Sequence, residues 1–177
     1  MRRSILVASV AGVIALSIAS GNYVLVQRDM HAAIASDPRN SGLVLYGYHE
    51  KLVVPGAIVI DMRNVSETNS PADVFRLLLQ FAAKQKDRDY EKVVLAFRGN
   101  HRFILKGAYF KTLGQEYGTQ NAVYTMRTLP ENVFNIDGTL AFGTWTGGLL
   151  GVLGRQMEDF TEFHKRWYIN ELARAGA

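Results

Sequence analysis

The sequence predicts an α/β (or α+β) fold: a single compact domain with a βαβ core, a mixed sheet and a long C-terminal amphipathic helix. Three observations carry this. Residues 57–60 and 93–97 are continuous apolar runs suited to strands buried on both faces. A well-capped apolar helix lies between them, and a stripe of apolar residues at steps of three and four runs along the C-terminal segment.

The chain begins with an export address. Arg2 and Arg3 precede a mostly apolar run over 5–16, and Ser17 and Ala19 stand at cleavage-site spacing, so residues 1–19 read as a secretory signal peptide. The rival reading is an uncleaved membrane anchor over 5–26, a stretch of 22 residues long enough to span a bilayer. Gly21 and Asn22 interrupt that run, which favours cleavage. Either reading exports the folded part to the periplasm or the extracellular face of the membrane; the second also tethers it.

Residues 20–41 show no firm apolar period and end in the turn-forming Asp37, Pro38, Arg39, Asn40 and Ser41, so they read as a spacer with room for a short helix. The domain is expected over 42–177. Residues 43–48 and 52–54 are β-prone, Pro55 and Gly56 punctuate them, and Asp61 ends the strand over 57–60. Ser70 is placed to cap a helix, Pro71 loses nothing at its first position, and Asp73 suits its positive end. Val74, Phe75, Leu77, Leu78, Leu79, Phe81 and Ala82 cover most of that helix, predicting burial until Lys84 and Lys86. With the strand over 93–97 this makes a βαβ unit, parallel and right-handed.

Gly99 and Asn100 predict a turn into an antiparallel strand over 102–105, closed by Gly107. A short helix over 108–117 stops at Gly118, residues 122–126 read as a strand, and residues 130–134 as one helical turn. Asp137 and Gly138 make a turn. The final helix starts at Thr144 or Thr146 and runs to about Leu172, with Leu149, Leu153, Met157, Phe160, Phe163 and Trp167 on its apolar face.

Composition removes several chemistries. The chain has no cysteine, which excludes disulfides, thiolate-bound zinc, iron–sulfur clusters, thiol catalysis and a lipid-modified cysteine. With Arg2 and Arg3 set aside, 18 basic residues face 16 acidic ones, too even a balance for a dedicated nucleic-acid binder. Between Lys84 and Lys111 eight Lys or Arg outnumber Asp87, Asp89 and Glu91, which reads as a solvated surface. No serine follows Ser70, and Gly-x-Ser-x-Gly, phosphate-loop and dinucleotide fingerprints are missing. Neither His-Glu-x-x-His nor Glu-x-x-His occurs, and His164 falls on the apolar side of the last helix, so neither metal nor cofactor is expected.

Two places could carry binding or chemistry. If the two apolar strands are parallel, Asp61 and Arg63 from one and Arg98, Asn100 and His101 from the other converge just past their carboxyl ends, where ligands of open α/β sheets bind. Carboxylate, imidazole and guanidinium would there supply base, acid and anion clamp; the structural alternative is an Asp61–Arg98 ion pair with His101 solvated. The second place is the glycine-rich segment 143–154. Its glycines permit close packing, Trp145 offers an aromatic face, and Gly147 and Gly148 could present amides to an anion.

The run Lys92-Val-Val-Leu-Ala-Phe-Arg-Gly-Asn-His-Arg-Phe-Ile-Leu-Lys-Gly-Ala108, after a helix and a charged loop, resembles the strand, turn and first oxyanion segment of crotonase-type and ClpP-like folds. The resemblance covers residues 71–118 and implies oxyanion donors at Gly107 and at Gly147 or Gly148. It departs from that pattern by one extra residue between Phe103 and Gly107 and by the missing strand before the second glycine segment. The domain is also short for that spiral. The favoured expectation is a binding module without catalysis, whose partner is an unknown small ligand or an envelope protein. The alternative is a small enzyme using Asp61, Arg98 and His101 or the oxyanion amides.

Overall fold

The computed structural model describes residue 21, residues 23–51 and residues 56–175. The signal-peptide reading and the β-prone residues 52–54 lie outside the described residues. Of the anchor reading only the end is described. Tyr23–Gln27 is a π-helical turn leading into helix α1 (Arg28–Ala35), and Val26 is fully buried in the core. Among the described residues no helix is long and apolar enough to cross a membrane.

The stretch read as a spacer therefore contributes to the core, with Met30 and Ala33 buried beside Val26. Its connection is pinned by Asn40, whose side-chain amide donates to Ala33 O at 3.0 Å and to Gln80 Oε1 at 2.7 Å. Asn40 Oδ1 accepts from Arg76 at 3.0 Å. A buried amide with its groups matched in this way avoids the desolvation cost of an unpaired polar group.

Among the described residues the sheet has five strands in the order β1-β2-β3-β4-β5. They are β1 (Leu43–His49), β2 (Ala57–Val65), β3 (Lys92–Phe97), β4 (Asn100–Lys106) and β5 (Val133–Phe134). β2 and β3 are parallel, and every other pairing is antiparallel, so the sheet is mixed. Helix α2 (Pro71–Gln85) makes the expected βαβ crossover. Its start is a capping box: Ser70 Oγ accepts from Asp73 N, and the Asp73 carboxylate accepts from Ser70 N at 2.7 Å.

Ile58, Ile60, Met62, Val93, Leu95, Phe97, Phe103 and Leu105 point from one sheet face into the main core. There they meet Leu77, Leu78 and Phe81 of α2, Phe110 and Leu113 of helix α3 (Gly107–Glu116), and Phe160, Phe163 and Trp167 of the C-terminal helical segment. Val59, Val94 and Ala96 form a separate cluster on the opposite face, with Tyr48 packed against it. The alternation is that of a strand whose successive side chains leave on opposite sides.

Local expectations change in four places. β2 continues past Asp61 to Val65, because Leu43, Val44, Leu45 and Tyr46 pair with its second half. The tight turn falls on Arg98 and Gly99 rather than Gly99 and Asn100, with φ of +49° and +82°; both are left-handed, and glycine takes this conformation freely. Residues 122–126, expected as a strand, lie in helix α4 (Ala122–Thr128), which Asn121 caps by accepting from Val123 N at 2.9 Å. Residues 130–134 divide into a 3₁₀ turn (Pro130–Asn132) and β5.

The last helix starts later than expected. Helix α5 (Leu149–His164) passes through a π-helical turn (Lys165–Ile169) into α6 (Asn170–Ala175). The wider turn changes the helical phase, and Phe163, His164, Trp167 and Tyr168 are all buried. Met157, placed on the apolar face by spacing, is instead exposed. Trp167 ties this segment to the sheet by donating its indole N–H to Ala96 O at 3.0 Å.

Candidate functional site

Asp61 is fully buried in the middle of β2, on the sheet face away from the main core. Its Oδ1 accepts the backbone N–H of Gly99 at 3.0 Å. Its Oδ2 accepts from the Tyr48 hydroxyl at 3.2 Å and pairs with Arg63 at 2.7 Å. Tyr48 is a member of this site that the sequence reading missed. The alternation of Tyr46 and Tyr48 on β1 puts both on one face, but only the β1–β2 register brings Tyr48 within reach of Asp61. Burial, with the Asp61 charge beside it, pushes the Tyr48 hydroxyl up to about 12.

The expected Asp61–Arg98 ion pair is not formed. Arg98 leaves the turn with a left-handed backbone, lays its guanidinium 5.1 Å from the Phe97 ring centroid, and donates Nε–H to Arg63 O at 3.2 Å. Arg63 takes the carboxylate instead, because residues two apart on a strand share a face. The Arg63 guanidinium also lies 5.3 Å from the Tyr46 ring centroid.

His101 shares a cross-strand row with Asp61 but does not meet it. The register aligns Tyr46, Asp61, Ala96 and His101 across four strands, so β3 lies between acid and imidazole. Two strand spacings separate their backbones by about 10 Å. Asp61, Arg63 and the Arg98–Gly99 turn thus converge at the carboxyl end of β3, beside the middle of β2 rather than its end, while Asn100 and His101 stand exposed next to them. Together Arg63, Arg98, Asn100 and His101 form a cationic, solvent-facing rim over a carboxylate whose two oxygens are already held.

The glycine-rich segment differs from expectation. A Cβ placed at Gly147, Gly148, Gly151 or Gly154 would meet nothing within 4 Å, so these glycines do not serve close packing. Gly147 instead has φ of +132°, and the Gly148 carbonyl accepts from Val152 N at 3.1 Å as α5 begins. Trp145 is half-buried; its indole N–H donates to Asp159 Oδ2 at 2.6 Å, and the Arg155 guanidinium lies 5.2 Å from its ring centroid. Close approach occurs at Gly107 and Gly114, where a Cβ would collide with Tyr90 O and Ala82 O respectively. The Gly107 N–H donates to Glu91 O at 2.9 Å, so the amide that the crotonase-type resemblance assigns to an oxyanion is spent inside the protein.

His164 lies where its spacing placed it, on the apolar side of the last helix. It is fully buried, neither ring nitrogen has a hydrogen-bond partner, and Phe160, Phe163, Trp167 and Tyr168 surround it with ring centroids 4.6 to 6.4 Å away. Burial pushes its imidazole down to about 3. Among the described residues no group of three or more His, Cys, Asp or Glu side chains is placed to hold a metal ion. No protein-family model, curated protein or solved structure matches this chain.

Proposed function

We propose that this chain is a small exported α/β domain that binds a ligand or an envelope protein without catalysing a reaction. One observation carries the reading: both oxygens of Asp61 are committed to Gly99, Tyr48 and Arg63. The carboxylate is also fully buried, whereas a general base must come within reach of a substrate proton. This carboxylate acts as a tie between β1, β2 and the β3–β4 turn. The groups around the β3–β4 turn, exposed Arg98, Asn100 and His101 with half-buried Arg63 beside them, suit surface recognition of an acidic partner. Export is supported by Arg2, Arg3, the apolar run over 5–16, and Ser17 and Ala19.

The test has two parts. Cell fractionation with N-terminal sequencing is expected to recover the chain in the envelope or periplasm, starting at Ser20 if the signal is cleaved. Soluble full-length chain in the cytoplasm overturns export. Native mass spectrometry of the recovered chain is expected to show an added mass, small or protein-sized, that the Arg98→Ala, His101→Ala double variant removes while circular dichroism is unchanged. A bare chain, or an added mass that survives the double variant, removes the rim from the binding reading.

A further inference from the structure

A second cationic site lies on the helix-covered side of the sheet and uses none of the rim residues. The register between β3 and β4 steps from Leu95↔Phe103 to Ala96↔His101, leaving Arg102 unpaired at a bulge. Bulges re-aim side chains, and Arg102 reaches the C-terminal helix, where its guanidinium lies 3.2 Å from Glu171 Oε1. Arg174 contacts the same oxygen at 2.8 Å. Arg166 completes the wall. It lies 5.0 Å from the ring centroids of both Phe103 and Phe142, and is held by donating to Ala141 O at 3.0 Å and Asn135 Oδ1 at 2.9 Å.

These residues, with Asn170, line a cleft of about 300 Å³. Three guanidiniums face one carboxylate, an excess of two positive charges. Arg102 Nε is buried and has no acceptor, and a buried donor left unpaired is costly. An arginine fixed over two neighbouring rings, and a second with an unused N–H, supply planar, forked guanidiniums of the kind that suit tetrahedral oxyanions. The volume is at the lower end of small-molecule sites.

We infer that this cleft binds a phosphate group, carried either by a small soluble phosphate compound or by a lipid headgroup. Glu171 holds Arg102 and Arg174 together in the unliganded cleft, and the phosphate takes their free N–H groups. Because Glu171 is itself anionic, it weakens the site it organises. Replacing it should therefore tighten binding, an effect opposite to that expected of a purely structural ion-pair cluster.

The experiment is calorimetric titration of the full-length chain with inorganic phosphate in chloride buffer, alongside co-sedimentation with phosphatidylcholine vesicles containing phosphatidic acid. Saturable phosphate binding is expected, weakened about tenfold or more by Arg102→Gln, the scale of one lost charge-assisted contact. Arg174→Gln should weaken it too, and because that side chain is 75% exposed its loss leaves the fold intact should Arg102→Gln unfold. Glu171→Gln should tighten it several-fold. Binding to vesicles but not to free phosphate, with the same arginine dependence, assigns the group to a lipid headgroup. No binding to either probe, binding indifferent to both arginines, or weaker binding in Glu171→Gln overturns the inference.

Discussion

The carboxylate of Asp61 accepts the backbone N–H of Gly99 at 3.0 Å, joining the middle of β2 to the turn between β3 and β4. That bond fixes a turn whose Arg98 sits at φ +49°, a conformation that side-chain-bearing residues adopt rarely. The same carboxylate reaches β1 through Tyr48 and the solvent edge through Arg63. One buried acid thus ties two strands to the turn between the next two, and the cationic rim is built around it.

A double-mutant cycle tests which arginine Asp61 holds. Asp61→Asn with Arg63→Gln should show a coupling energy of at least about 0.5 kcal/mol in urea unfolding, as contacting residues do. Asp61→Asn with Arg98→Gln should be closer to additive, since Arg98 bonds to the Arg63 carbonyl rather than to the acid. The reverse order would break the assignment of Arg63 as the partner.

His164 predicts a loss of stability in acid. Its imidazole is held near 3 in the folded chain, against an ordinary value near 6.5. Below pH 6.5 the unfolded chain therefore binds a proton that the native core refuses. The contribution of the neutral imidazole is fully present above about pH 6.5 and is lost as the pH falls towards 3. The urea midpoint should drop between pH 7.5 and pH 5. In His164→Leu that drop should shrink, because the apolar replacement removes this proton linkage. An equal drop in both proteins would assign the acid sensitivity to other groups.

Two glycine substitutions of the same kind should have opposite signs. Gly114→Ala drives a methyl group into the Ala82 carbonyl where α3 crosses α2, so the melting temperature should fall, with overpacking costing about 1 to 3 kcal/mol. Gly151→Ala, in the first turns of α5 with open space around it, should stabilise by about 0.5 to 1 kcal/mol through helix propensity alone. Thermal unfolding of both variants decides the matter; a stabilised Gly114→Ala would mean that α2 and α3 are not in close contact there.

By itself the sequence determined the features that depend on near neighbours. The Ser70–Asp73 capping box, the buried circumference of α2, the two apolar strands and their parallel crossover follow from patterns of a few residues, and all are present. Local preference misled at α4, where Val123, Tyr124 and Thr125 favour a strand until Asn121 caps the helix and closes its first turn. It also ended β2 too early at Asp61, because a charged residue reads as a strand terminator until Tyr48, Gly99 and Arg63 surround it.

Tertiary structure decided which polar groups meet. Asp61, Arg63 and Arg98 were all legible as neighbours at one sheet end, yet pairing between them depends on side-chain alternation, strand register and the handedness of one turn. The Arg102, Arg166 and Arg174 cleft left no local signal, since it needs a bulge in β4 to turn one arginine and a π-helical turn in the C-terminal helix to alter its phase. Backbone hydrogen bonding and apolar periodicity act over a few residues and can be read from the chain. Charge constellations are assembled by the packing of distant segments, and packing brings them together only once the core has formed.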